Sequence, residues 1–102
     1  MIRARLNSKG AIAAPGAAQI AGSHIVLRKP DTVDIDAAGF LGREVIVSHT
    51  IECSEGLTLV PGTGPVGQSW AMRFEGAGTA RLSFTSASGR EWSGTIRVRG
   101  NG

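Results

Sequence analysis

The sequence predicts an all-β sandwich of about seven antiparallel strands preceded by an extended basic arm, and three observations carry that prediction. Toward the C-terminus, apolar residues recur at every second position: Trp70, Met72 and Phe74, then Ala80, Leu82 and Phe84, then Trp92, Ile96 and Val98. Arg73, Arg81, Arg97 and Arg99 fall on the opposite parity, so each run has the period of a half-buried strand. The breaks SEG, PGTGPVG, GAG and SASG separate these runs at the spacing of a sandwich or small barrel. Finally, 102 residues with 15 glycines and 41% hydrophobic residues describe one domain with many tight turns and a single core.

Taken in order, residues 1–23 read as the arm. Ile2 to Leu6 has the character of a short strand, but Gly10 to Gly22 is rich in Ala and Gly and has no consistent period. Such a segment buries too little apolar surface to order itself, which predicts that a chain beginning at Ser23 still folds. The sandwich then occupies 24–102. His24 to Arg28 and Val33 to Asp36 are its first strands, with Pro30 and Asp31 marking the break between them. Asp36 to Gly42 is expected to hold at most one helical turn, started by Asp36 and cut short by Gly39 and Gly42. Five further strands follow, over Glu44 to Cys53, Leu57 to Val60, Ser69 to Glu75, Thr79 to Ser86 and Glu91 to Arg99. In the first of these, Val45, Val47, Ile51 and Cys53 share a parity with His49, which predicts that this side faces the core. Trp70 and Trp92 are expected inside, on neighbouring strands.

Charge is uneven. Arg3, Arg5, Lys9, Arg28 and Lys29 precede residue 31 without one acid, whereas the rest of the chain sets six arginines against eight acids. A basic segment of this kind seeks an acidic surface, so these five residues are the candidate partner-binding set. The lone Cys53 excludes an internal disulfide and is compatible with a reducing compartment. Gly10, Pro15, Gly16 and Gly22 interrupt the Ala-rich run, so no cleaved export signal is expected, and no window reaches the ~18 apolar residues of a membrane helix.

The chemistry-bearing residues do not assemble into a reaction centre on sequence spacing. Gly62, Gly64 and Gly67 satisfy GxGxxG, but the residues that follow read as a strand, whereas that fingerprint needs a helix to hold a pyrophosphate. His49 and Cys53 are four apart, about 13 Å along a strand, too far to share an ion. His24 stands apart from both, Cys53 reads as a small core residue, and no metal or cofactor is expected. Asp34 and Asp36 lie on the outer parity of a short strand and read as charges guarding a sheet edge. Arg73, Arg81, Arg97 and Arg99 form a basic face if their strands are neighbours. With the other aromatics pointing inward, Phe40 is the single stacking platform, so specific base recognition is not expected.

The segment GAGTARLSFTSASGREWSGTIRVRG, from Gly76 to Gly100, resembles the C-terminal half of bacterial and phage immunoglobulin-like domains. In these a G-T-A-x-hydrophobic strand, a polar Ser/Gly turn and a final apolar strand close the sandwich. Trp70 follows Cys53 much as the core Trp follows strand B in that fold, while no second cysteine supplies the antibody-type disulfide. The resemblance implies an immunoglobulin-like sandwich serving as a non-enzymatic structural accessory protein of a larger assembly. The setting it implies is a phage virion, with the protein made in the host cytoplasm and acting in capsid decoration or cementing. Docking through the arm onto a capsid or tail protein is the expected contact, without specific nucleic acid or membrane, and self-association is left open. A second expectation is an adhesive or carbohydrate-binding module using the PGTGPVG and SASG loops. A third is a cysteine-protease inhibitor: PGTGPVG, GAGT and REW resemble, in the same order, the three inhibitory loops of chagasin-like proteins.

Overall fold

The computed structural model describes residues 2–8, 12–13, 18–21, 24–65 and 67–100. Among these residues ten strands and one helical turn follow in order: β1 (Ile2–Leu6), β2 (Ile12–Ala13), β3 (Ala18–Ala21), β4 (His24–Leu27), β5 (Thr32–Asp36), α1 (Ala38–Leu41), β6 (Ile46–Cys53), β7 (Leu57–Leu59), β8 (Ser69–Gly76), β9 (Gly78–Ser86) and β10 (Glu91–Val98). They form two sheets, ordered β2-β1-β5-β8-β7 and β3-β4-β10-β9-β6. The chain is thus an all-β sandwich, and each strand expected from residue 24 onward is present.

Alternation builds the core. Trp70, Met72 and Phe74 of β8, with Val33 and Ile35 of β5, come from the first sheet. Ala80, Leu82 and Phe84 of β9, with Trp92, Ile96 and Val98 of β10, come from the second. Phe84 is the centre of an aromatic cluster. Trp92 stacks on it at 5.0 Å between centroids, while Trp70 meets it edge-on at 5.2 Å and Phe40 at 6.3 Å. The two tryptophans are inside as expected, but on opposed sheets rather than neighbouring strands; Phe84 joins them across the interface. Phe40 is no exposed platform. It is buried in α1, where the Arg90 guanidinium lies 4.6 Å from its ring centroid and donates to its carbonyl oxygen.

The helical turn is as short as its sequence predicts, although Ala37 rather than Asp36 occupies the N-cap position and Gly39 lies inside the turn. Asp36 accepts a hydrogen bond from the Ala38 N–H at 3.0 Å, and Gly42, at φ 65°, ends the turn after four residues. The β8–β9 connection is tighter. Gly76 has φ 85°, and a Cβ there would collide with the Gly56 carbonyl oxygen, so only glycine fits this corner.

Residues 1–23 depart most from expectation. The described part of this segment is built into both sheets rather than set apart from them. β1 runs parallel to β5, with Ile2 opposite Val33 and Arg5 opposite Asp36, and β2 pairs antiparallel on its far side. Ala4, Leu6 and Ile12 are buried in the core, and β3 pairs with β4 in the second sheet. Three alternating apolar positions, too few to stand out as a run, suffice once β5 supplies a neighbour. Lys9 and most of the Ala/Gly run lie outside the described residues.

Strand β6 is the second departure. A register shift between Ile46 and Ser48 breaks its alternation, turning Ile46 partly inward and leaving Val45 and Val47 exposed. Beyond the shift, His49, Ile51 and Cys53 oppose Phe84, Leu82 and Ala80, so they share the inner side. Yet β6 is the outermost strand of its sheet, and of these three only Ile51 joins Ile46 in packing against the core. His49 and Cys53 are exposed, so Cys53 is not the small core residue its parity implied.

Candidate functional site

Two sheet faces and one corner carry the polar side chains that the fold brings together. On the outer face of the first sheet, cross-strand rows run Arg3–Asp34–Ala71 and Arg5–Asp36–Ser69 across β1, β5 and β8. Small residues on β8 beside long ones on β1 leave an open trough of about 780 Å³. Asp34 and Asp36 therefore do not guard an edge: β5 is the central strand of this sheet, and its acids face the arginines of β1. Arg5 Nε lies 4.0 Å from Asp36 Oδ2, with the Arg5 side chain 80% exposed, a separation and setting that give a weak, solvent-screened pair. Part of the acidic surface sought by the N-terminal arginines is thus within their own sheet.

The outer face of the second sheet is a comb of small hydroxyls. Thr50, Ser83 and Ser93 form one row across β6, β9 and β10, and Glu52, Arg81, Thr95 and His24 form the next, extended to β4. His24 Nδ1 and the Thr95 hydroxyl are hydrogen-bonded within that row. A shallow hollow of about 370 Å³ lies over these residues. The sequence signal for this face is the period-two Ser/Thr of three strands, which falls on the parity opposite the apolar one.

The corner is formed where the β9–β10 turn meets α1. Glu44 Oε1 accepts from the Ser88 N–H at 2.9 Å and from Ser86 Oγ at 3.3 Å, and Arg90 N–H donates to Ser86 Oγ at 3.1 Å. Bonds from Ser88 foremost hold the Glu44 carboxyl below the usual glutamate range against the opposing effect of desolvation, with the Ser86 bond and the Arg90 charge adding to them. Asp31 is lowered likewise, chiefly by the Thr32 N–H at 2.7 Å.

Of the expected partner set, Arg3 and Arg5 lie on β1, whereas Arg28 and Lys29 are exposed on the bend after β4. The four later arginines do not share one face. Arg81 and Arg97 belong to the second sheet and Arg99 follows it, but Arg73 projects from β8 of the first. His24 and His49 sit on β4 and β6 with β10 and β9 between them, three strand spacings across and three residues along, about 17 Å apart. No cluster of three or more His, Cys, Asp or Glu residues placed to hold a metal occurs among the described residues. Gly62, Gly64 and Gly67 all have positive φ and lead into strand β8, where Gly64 N–H bonds back to Ala71 O at 3.0 Å. That geometry is a folded-back β connection without the helix N-terminus a pyrophosphate requires.

Fold and surfaces together define a β-sandwich module with polar outer faces. Comparison with family models, curated proteins and solved structures finds no match to this chain.

Proposed function

We propose that this chain is an immunoglobulin-like module acting as a non-enzymatic structural accessory protein of a larger assembly. A phage virion is the proposed setting, and decoration or cementing of its capsid the proposed task. The observation that carries the reading is the pairing order. β5, β8 and β7 stand in the order B-E-D of an immunoglobulin sandwich, β6, β9 and β10 in its order C-F-G, and β4 runs alongside β10. Two features depart from that pattern: β1 runs parallel to β5, and the single cysteine lies exposed on β6. A sandwich with polar, open outer faces suits attachment at a surface better than turnover of a substrate. The contact is proposed to use exposed residues of the sandwich itself, with Arg3, Arg5, Arg28 and Lys29 as the set to probe, because β1 is part of the first sheet and is not a detached arm.

The test is to follow the chain through density-gradient-purified particles made by the genome that encodes it. Co-banding at a fixed copy number per particle is the expected result. Recovery only in the soluble fraction overturns the virion reading.

A carbohydrate-binding role is the second reading, favoured by one observation: the trough of the first sheet lines carboxylates and guanidiniums along an open channel suited to a hydroxyl-rich ligand. Glycan-array binding that disappears in Asp34→Asn/Asp36→Asn would establish it, and an array without signal would remove it.

A further inference from the structure

The four sheet edges are unequal. Among the described residues β2, β7 and β3 span two, three and four residues, short for templating another strand, whereas β6 extends over eight. The exposed large hydrophobics of the described residues, Val45 and Val47, also lie at this edge. Its N-terminal end is already engaged: the register shift falls between Ile46 and Ser48, and the Ile46 N–H donates to Gly67 O. From Ser48 to Cys53 the strand is regular, and among the described residues no strand lies beyond it.

The direction of the free backbone groups follows from the ladder. Ser54 N–H donates to Thr79 O, so Ser54, Glu52 and Thr50 turn their groups toward β9. By alternation, His49, Ile51 and Cys53 turn theirs toward the open edge. We propose that this edge pairs antiparallel with β6 of a second copy of the chain about a two-fold axis at Ile51, joining two five-stranded sheets into one.

The register follows from the strand itself. With the axis at Ile51, His49 faces Cys53 of the copy, Ile51 faces Ile51, and all three free residues enter hydrogen-bonded pairs. On the outer side Thr50 faces Glu52, a hydroxyl beside a carboxylate. Shifting the axis to Glu52 sets two carboxylates opposite each other, and shifting it to Thr50 runs the pairing into the irregular Val47. The half-buried Ile51 gains an apolar neighbour on the inner side. This self-complementarity selects a second copy over an unrelated extended peptide. An edge contact alone is small beside a standard interface, so the dimer is weak and concentration-dependent. The inference is independent of the virion reading, because it concerns the purified chain alone.

Sedimentation equilibrium over a concentration series, in reductant, tests it. The expected result is a monomer–dimer equilibrium that Thr50→Lys tightens and Thr50→Glu weakens, since residue 50 faces Glu52 of the copy. Both shifts shrink at high salt. His49→Pro deletes one of the free N–H groups at a position where an edge strand tolerates proline, and is expected to weaken association at least tenfold with thermal unfolding preserved. A chain that stays monomeric up to millimolar concentration overturns the proposal. So does a dimer on which Thr50→Lys and Thr50→Glu act in the same direction, or one that appears only when reductant is omitted. Should His49→Pro fail to fold, the two Thr50 variants, at an exposed side chain, decide the matter.

Discussion

The C-terminal three strands and the strands before residue 28 reach the same sandwich by different routes. β9 pairs with β10 across a turn of a few residues, and β8, which lies in the opposite sheet, pairs with the nearby β7 as well as with β5. β1 and β4 instead lie parallel to β5 and β10, and the parallel pair His24–Thr95 closes a separation of 71 residues. Local pairing places alternation and turn chemistry side by side in the chain. Distant pairing borrows its neighbour from elsewhere, so a strand such as β1 gains its place only after β5 exists to receive it.

The largest expected effect breaks this comparison at its weaker half. A chain beginning at Ser23 removes β1 to β3, with the buried Ala4, Leu6 and Ile12, and uncovers one side of β5. It is expected to lose cooperative unfolding by circular dichroism. A sharp transition close to that of the full chain would restore the reading of 1–23 as dispensable. At single-residue scale, Phe84→Ala should cost about 3–5 kcal/mol and Leu6→Ala about 2–5 kcal/mol in chemical denaturation. A Leu6→Ala loss well below 1 kcal/mol would mean that the early strands do not share the core.

The next effect sharpens the local half. Gly76→Ala forces an L side chain to a positive φ and into the Gly56 carbonyl, for a cost of about 1–3 kcal/mol from the backbone conformation alone. A melting temperature equal to that of the parent would show that the β8–β9 corner relaxes.

The smallest effect concerns acid. The folded-state pKa of Glu44 is lowered, so its contribution is present above the unfolded value and is lost as pH falls through the folded one. The melting temperature of the parent should therefore fall below about pH 4.5 more steeply than that of Glu44→Gln. Parallel pH profiles would show that the bonds to Ser86 and Ser88 do not stabilise the corner.

Legibility in the sequence follows the same division. Ala80 through Val98 announced two strands and their buried faces because each residue's partner lies across one short turn, whereas β8 showed its buried face by alternation alone, its partners being β5 and β7. In β6 the parity of Val45, Val47 and Cys53 misled, because one extra residue at the register shift reverses sides and an outermost strand need not bury its inner face. Arg3 and Arg5 looked unpaired because their acids, Asp34 and Asp36, belong to a strand some thirty residues later. The corner of Glu44, Ser86, Ser88 and Arg90 carries no spacing signal, since it exists only where a turn folds back on α1.

The parallel pair of β4 and β10 has a mechanical consequence. Both strands begin at the same end of the pair, His24 beside Thr95 and Leu27 beside Val98, and Arg99 N–H extends the contact to Leu27 O at 2.8 Å. Tension that draws His24 backward and Arg99 forward acts along the strands in opposite senses, so the bonds are loaded in shear and must fail together rather than one after another. A module strained through these two points resists extension through its shortest-range interactions, and its lifetime under load is set by the rate of unfolding rather than by the equilibrium between folded and unfolded chains.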